Sequence, residues 1–195
     1  GAIGCEFAQF YSAIGTKVTM IEVLDRLLPG MGKELPRRIE AVFKKEGISV
    51  LTSKKVDRIE KNTDGTVIAH ISDGTRIDTD TILLSVGRSA NIKGIGLEDA
   101  GGAVEQNKIT VNERLETTAK KIWAIGDVIK GPMLAHAASY EAVIACDNIR
   151  GEGRTVDFTR IPSCVYTEPG VAMVGVSEDE AKNRHPDAKV AKFPY

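Results

Sequence analysis

The chain has 195 residues, and its 26 Lys and Arg residues nearly cancel 27 Asp and Glu residues, which gives a formal net charge of -1. With no basic stripe to follow a phosphate backbone, and with apolar runs far shorter than the roughly 20 residues of a membrane-spanning helix, the composition argues against nucleic acid and membrane as partners. Three cysteines without metal-ligand spacing, and no export signal, lead us to expect a cytoplasmic protein with no metal site.

The first stretch of the chain alternates helical and strand patterns. The glycine turn Gly1-Ala2-Ile3-Gly4 runs into an apolar helix that Gly15 ends. Residues 17–22 are apolar and β-branched, which is typical of a buried parallel strand, and this strand ends in an acid. Apolar residues at helical spacing predict a helix over 33–46, and a second short parallel strand follows at 48–51.

The sequence pattern then changes to short runs of alternating apolar and polar residues at 56–61, 66–72 and 75–79. Asp-Gly pairs, which favour tight hairpin turns, separate these runs. We predict an antiparallel meander here. Residues 81–86 return to a continuous apolar strand. This order is that of an α/β, doubly wound (Rossmann-like) nucleotide-binding domain with a three-stranded antiparallel insertion, which we place at residues 1–110.

Beyond about residue 110 a new unit is predicted. A strand at 121–125 runs into Gly126-Asp127, and a helical pattern extends from 133 to 150 and is closed by Gly151. The remaining elements are two short strands and a helix opened by a capping box, at 164–166, 171–174 and 177–180.

Two features of the opening segment indicate dinucleotide binding. Gly1 and Gly4 have the spacing of the second and third glycines of G-x-G-x-x-G, where helix N-terminal amides hold a diphosphate. Glu22, at the end of the second strand, can accept hydrogen bonds from the adenosine ribose hydroxyls and would repel a 2′-phosphate, which favours NAD over NADP. We set aside Arg26 as a phosphate ligand because Glu22 comes first. Helix capping and a solvated strand-end acid are the alternative interpretations.

Five blocks of the sequence resemble, in their order, the flavin-dependent disulfide reductases of the pyridine nucleotide-disulfide oxidoreductase family. These blocks are 1–6, 84–91, 123–127, 133–138 and 161–169. Together they cover essentially the whole chain. The block that begins at Met133 is most similar to the dihydrolipoamide dehydrogenase branch of the family. Ala90 departs from the pattern, because the family more often has a proline there.

The resemblance implies an NAD site built from the start of the chain and three later positions. We expect Glu22 to bind the adenosine ribose, Val56 to flank the adenine, and Gly87 to approach the nicotinamide end. The diphosphate and the nicotinamide side are expected to contact the first turn, which consists of Gly1, Ala2, Ile3, Gly4, Cys5 and Glu6. Glu6 also resembles the family acid beside the flavin, and a first-turn glutamate favoured by the helix dipole is the alternative.

The resemblance also implies an FAD site. Asp127 is expected to accept a hydrogen bond from the ribityl chain, and the helix that follows is expected to stabilise negative charge on the reduced flavin ring. The FAD-binding residues are Gly126, Asp127, Met133, Leu134, Ala135 and His136. For His136 a plain polar residue in the first helical turn is the alternative.

No chemical role is expected for the side chains of the other two histidines or of the three cysteines. His70 and His185 are predicted to be solvated surface residues. Cys5, Cys146 and Cys164 are predicted to be small core residues, because each has an apolar context.

The family also implies what the intact protein does. Residues 111–154 would contact FAD, and 155–195 would begin the C-terminal dimerisation domain. The redox-active C-x4-C pair is expected upstream and the His–Glu acid–base pair downstream, so we assign no catalytic residue here and expect the chain alone to be inactive.

The implied parent is a homodimeric, NAD-dependent flavoprotein that oxidises dihydrolipoamide on the lipoyl domains of 2-oxoacid dehydrogenase or glycine cleavage complexes. The alternatives are a mercuric, coenzyme A-disulfide or glutathione-type reductase, or a non-catalytic NAD-binding or redox-sensing module.

Overall fold

A computed structural model describes residues 1–193; residues 194 and 195, at the end of the predicted dimerisation segment, lie outside the described residues. The chain begins with α1 (Ala2–Ala13), β1 (Thr19–Ile21), α2 (Glu34–Lys45) and β2 (Ser49–Leu51). β1 and β2 pair in parallel. This arrangement is a β-α-β unit, in which the helix makes the crossover that parallel strands require, and it confirms the predicted order of the first elements.

The predicted meander is confirmed. Its strands are β3 (Val56–Lys61), β4 (Val67–Ile71) and β5 (Arg76–Thr79), and they form an antiparallel sheet in chain order. Gly65 and Gly74, in the two connecting turns, have φ angles of +91° and +87°. Asp-Gly pairs suit these turns because glycine reaches positive φ without a steric penalty.

The predicted strand over 81–86 is wrong. This segment has no regular secondary structure, and Leu84 and Val86 are 74% and 85% exposed. A strand needs a neighbour that satisfies its backbone groups, and no strand in the described part of the chain pairs with this segment. The predicted strand at 121–125 is also wrong, because only an isolated bridge between Glu116 and Trp123 forms there.

The remaining elements begin with a short hairpin, β6 (Val104–Glu105) and β7 (Lys108–Ile109). The sequence pattern missed it, because Gln106 and Asn107 adopt φ of +50° and +60° without a glycine. A 3-10 turn at Gly126–Val128 follows.

The C-terminal elements agree with the sequence pattern. They are α3 (Ala135–Ile149), β8 (Ser163–Val165), β9 (Val171–Met173) and α4 (Glu178–Arg184). α4 opens with the predicted capping box, in which Ser177 and Glu180 exchange side-chain to backbone hydrogen bonds.

The chain forms two compact units, Gly1–Gly87 together with residues from Cys164 onward, and Arg88–Ser163. Each has its own hydrophobic core. The first core contains Cys5, Leu27, Leu28, Met31, Ile39, Phe43, Ile48, Val165 and Val171. The second contains Ile92, Leu97, Ile109, Leu115, Ala119, Ala124, Ile129, Ile144 and Ala145.

The predictions for the histidines and cysteines are confirmed at some positions and wrong at others. His185 is exposed, as predicted, but His70 is only 18% exposed. The Nε2 atom of His70 lies 2.9 Å from Arg58 Nη2 and 3.0 Å from Glu60 Oε2. Cys5 is buried in the first core, whereas Cys146 is exposed, so the core interpretation is right for Cys5 and wrong for Cys146. Cys164 is partly buried.

The cysteines should react at very different rates. Burial raises the pKa of the Cys5 thiol to about 11, and the thiolate is the reactive form. At about pH 8 we therefore expect iodoacetamide to modify Cys146 and to leave Cys5 intact. Peptide mass spectrometry before and after unfolding in urea would measure this. Equal modification of both cysteines in the folded chain would contradict the burial of Cys5.

Candidate functional site

The opening turn presents backbone amides. Gly1 is the N-cap of α1, and the Cys5 N–H donates to the Gly1 carbonyl at 3.1 Å. The amides of Ala2, Ile3 and Gly4 precede that first helical hydrogen bond and have no carbonyl one turn earlier to bind. All three residues are at least partly exposed. The turn therefore offers N–H groups at the positive end of a helix, an arrangement suited to an anion.

Gly4 allows a close approach between α1 and a second chain segment. A Cβ atom at Gly4 would lie 2.9 Å from Ser85 Oγ. Gly87 follows shortly after Ser85 with a φ of +111°, a conformation that favours glycine. The predicted site residues Gly4 and Gly87 therefore lie on segments that approach each other.

Glu22 lies beside the opening turn. One of its carboxylate oxygens is 3.7 Å from the Gly1 nitrogen, and the other accepts the Leu24 N–H at 3.0 Å. The side chain is 18% exposed. Because α1 leads directly into β1, the end of β1 returns to the start of the helix, and residues distant in sequence become neighbours.

Val56 is connected to the same strand end. The Ser53 N–H donates to the Leu24 carbonyl at 2.8 Å, and the Lys54 N–H donates to the Glu22 carbonyl at 3.0 Å. Val56 then begins β3 and is partly buried. These backbone bonds hold the segment that leads into the meander against the end of β1, beside Glu22.

Glu6 is used structurally. Its Oε1 accepts the Tyr166 N–H at 2.9 Å. One turn later, Gln9 donates to the Glu168 carbonyl at 2.8 Å and accepts the Glu168 N–H at 2.6 Å. The polar face of α1 therefore binds the backbone between β8 and β9. The sequence pattern gave no signal for this contact.

A second polar arrangement lies in the other unit, at the 3-10 turn before α3. Gly126 has a φ of +73°, and a Cβ there would lie 3.4 Å from Ala138 Cβ. Its N–H donates to Glu141 Oε2 at 2.5 Å. Lys108 Nζ donates to the Asp127 carbonyl at 2.5 Å. The turn that carries Asp127 is thus held from two sides.

The start of α3 places the other predicted FAD residues. Leu134 is the extended N-cap, Ala135 begins the helix, and Met133 is 43% exposed. His136 Nε2 lies 2.7 Å from the Pro162 carbonyl. A carbonyl only accepts, so this nitrogen carries the hydrogen. The imidazole is therefore anchored rather than free in solvent.

Glu141 and Lys108 were missed by the sequence interpretation. Glu141 lies on the same face of α3 as Ala137 and Ile144, which are both fully buried. An acid within an otherwise apolar helical stripe is the signal that could have identified it. Lys108 carries no comparable signal.

The described residues contain neither a candidate metal site nor a candidate membrane-spanning helix. Within 1–193 no group of three or more His, Cys, Asp or Glu side chains is arranged to hold a metal ion. None of the helices in that range has both the length and the apolar character needed to cross a membrane.

Comparisons with known proteins agree along the whole chain. The family model "Pyridine nucleotide-disulphide oxidoreductase" matches residues 1–142, and the dimerisation domain of the same family matches 161–195. A dihydrolipoyl dehydrogenase from Bacillus subtilis (strain 168) is 42% identical over all of this chain and 42% of its own length. The dihydrolipoyl dehydrogenase from Thermus scotoductus is 40% identical over all of this chain and 43% of its own length.

A solved structure shows the same similarity. The Cu(II) complex of the HOCl-induced flavoprotein disulfide reductase RclA from Escherichia coli superposes with a TM-score of 0.85 at 30% identity, covering 95% of this chain and 42% of that one. The chain therefore spans less than half the length of these similar proteins.

Proposed function

Since the chain belongs to the pyridine nucleotide-disulphide oxidoreductase family, we propose that it is the NAD-binding part of a flavoprotein that oxidises dihydrolipoamide to lipoamide. Electrons would pass through a disulfide and FAD to NAD. The 42% identity with a dihydrolipoyl dehydrogenase over the whole chain supports this substrate. Residues 1–110 would form the doubly wound NAD-binding domain, 111–154 the FAD-contacting segment, and 155–195 the start of the dimerisation domain.

The position of Glu22 beside the opening turn carries the proposal. A dinucleotide needs hydrogen-bond donors for its diphosphate and an acceptor for its ribose hydroxyls. The amides of Ala2 to Gly4 and the carboxylate of Glu22, which lies 3.7 Å from the Gly1 nitrogen, would supply both. Val56 and Gly87 would flank the adenine and the nicotinamide ends, and the backbone of Cys5 and the side chain of Glu6 would complete the first turn.

The residues near α3 fit an FAD site. Asp127 lies in the 3-10 turn that contacts α3 through Gly126, and its carboxylate would accept hydrogen bonds from hydroxyl donors while the N-terminus of α3 would favour an electron-rich ring. Bound FAD would supply the electron relay between a dithiol–disulfide couple and the nicotinamide ring. Gly126 would admit the ribityl chain, and Met133, Leu134, Ala135 and His136 would line the flavin edge.

Activity of the full-length protein tests this function. We expect NADH formation, followed by the absorbance of the reduced nicotinamide, when dihydrolipoamide and NAD are supplied together. The isolated 195-residue chain should bind NADH more tightly than NADPH, but it should not turn over, because its sequence contains no C-x4-C pair.

Other substrates separate the alternatives. The match to a flavoprotein disulfide reductase at 30% identity makes a different reductase the second candidate. Turnover with glutathione disulfide, coenzyme A disulfide or Hg(II), and none with dihydrolipoamide, would identify that alternative. Equal binding of NADH and NADPH would contradict the role of Glu22. Binding of neither coenzyme would contradict the NAD site as a whole.

The proposed partners are a second copy of the full-length protein and the lipoyl domains that carry its substrate. The dimerisation-domain match over 161–195 supports a homodimer of the full-length protein. Lipoyl domains of 2-oxoacid dehydrogenase or glycine cleavage complexes would deliver the dithiol.

A further inference from the structure

Glu141 is an acid in the core of the second unit. It is 1% exposed and lies on α3 between the fully buried residues Ala137 and Ile144. Burying an ionisable group is costly unless its polar atoms are paired, and an apolar side chain of similar size is often better tolerated. An acid at this position therefore requires an explanation beyond packing.

The carboxyl group of Glu141 makes one defined contact. Its Oε2 accepts the Gly126 N–H at 2.5 Å, and its buried Oε1 has no hydrogen-bond partner among residues 1–193. Burial raises the pKa of this carboxyl above its ordinary value. The Gly126 N–H opposes the rise, and nearby Asp127 adds to it. The Gly126 amide is thus the only hydrogen-bond partner of the acid within the described residues.

The Gly126 amide sets the direction of the turn. Ile125 is extended, Gly126 turns at a φ of +73°, and Asp127 follows directly. The bond from Gly126 to Glu141 ties the start of the turn to α3, and the bond from Lys108 Nζ to the Asp127 carbonyl ties its next peptide to β7. Within the turn the Ile129 N–H also donates to the Gly126 carbonyl at 3.1 Å, so loss of the bond to Glu141 would remove the tie from the Gly126 amide to α3 and leave the turn itself closed.

We propose that Glu141 is a positioning residue that acts through the Gly126 amide to fix the direction of the Asp127 carboxylate toward the flavin. This inference rests on the FAD site of the proposed function. It assigns no chemical step to Glu141. It requires only that the side chain at this position accept one hydrogen bond.

FAD binding to the full-length apoprotein tests the role without reference to turnover. Glu141→Gln keeps an oxygen that can accept the Gly126 N–H, so we expect its Kd for FAD to stay within about threefold of the parent. Glu141→Leu keeps the approximate size but removes the acceptor, so we expect a Kd about tenfold higher, the effect of losing one hydrogen bond of this kind. The visible flavin spectrum should shift only in the leucine variant.

A double-mutant cycle with Asp127→Ala separates positioning from general stability. If Glu141 acts through Asp127, adding Glu141→Leu to Asp127→Ala should raise the Kd by less than about threefold, because the group being positioned is already gone. If Glu141→Leu fails to fold, Glu141→Asp serves in its place, since it keeps the acid but draws the carboxylate away from the Gly126 amide.

The outcomes distinguish this role from the underlying site. Wild-type affinity in folded Glu141→Leu and Glu141→Asp proteins, or full additivity with Asp127→Ala, would overturn the positioning role alone. An Asp127→Ala protein that binds FAD as well as the parent would overturn the FAD site at this turn and the positioning role with it.

Discussion

Glu22→Arg is expected to reverse the coenzyme preference of the chain. The carboxylate lies 3.7 Å from the Gly1 nitrogen, at the opening turn. Arginine removes the acceptor for the ribose hydroxyls and supplies donors for a 2′-phosphate. Each change should alter the binding free energy by about the contribution of one charge-assisted hydrogen bond. The ratio of the Kd values for NADH and NADPH should therefore change by about 100-fold. Fluorescence titration with both coenzymes measures this ratio.

Asp78→Arg is the matched control for this change. Asp78 is an exposed acid on β5, so its replacement alters the net charge by the same amount without touching the turn. The control should leave the ratio of the two Kd values within about threefold of the parent, because salt and solvent weaken the interactions of exposed charges. An equal change in both variants would mean that net charge, rather than a contact at the ribose, sets the preference.

Local sequence signals predicted those elements whose hydrogen bonds close within a short stretch of chain. The Asp-Gly pairs located the turns of the meander, and Ser177 with Glu180 located the start of α4. In each case one short segment contains both the donor and the acceptor, or a glycine that reaches the required φ. No tertiary information was needed for these predictions.

The segment 81–86 shows the limit of this approach. Its apolar residues are typical of a buried strand, yet Leu84 and Val86 are exposed and unpaired with any strand in the described part of the chain. Apolar character reports a preference for burial, while strand formation depends on a neighbour elsewhere in sequence. The sequence pattern missed the hairpin at Gln106 and Asn107 for a different reason. Its turn has positive φ angles at two residues that are not glycine.

In the candidate sites, too, some contacts could be predicted from the sequence and others could not. The proximity of Glu22 to Gly1 could be predicted, because a strand that directly follows a helix and packs against it runs back toward the start of that helix. The contact of Glu141 with Gly126 could not, since it depends on how α3 packs on the turn before it. Likewise, His70 acquires its partners from the register of β3 against β4, which pairs Arg58 with His70.

Phe43→Ala should cause the largest loss of stability in the first unit. Phe43 is 0% exposed on α2 and packs in the core that includes Cys5 of α1 and Ile48 before β2. Truncating a buried phenylalanine removes its transfer free energy and leaves a cavity, at a cost of about 3 to 5 kcal/mol. Amide hydrogen exchange of peptides from each unit in increasing urea would measure this loss where it occurs.

Phe10→Ala makes the same chemical change at a surface position. Phe10 is 56% exposed on α1, and its ring meets Tyr11 edge-on at 5.4 Å. Only part of the ring leaves an apolar contact, so the cost should be about 1 kcal/mol or less. Because the same core supports both α1 and β1, Phe43→Ala should also weaken NADH binding, but without changing the preference for NADH over NADPH. A loss of stability equal to that of Phe10→Ala would show that the core does not depend on Phe43.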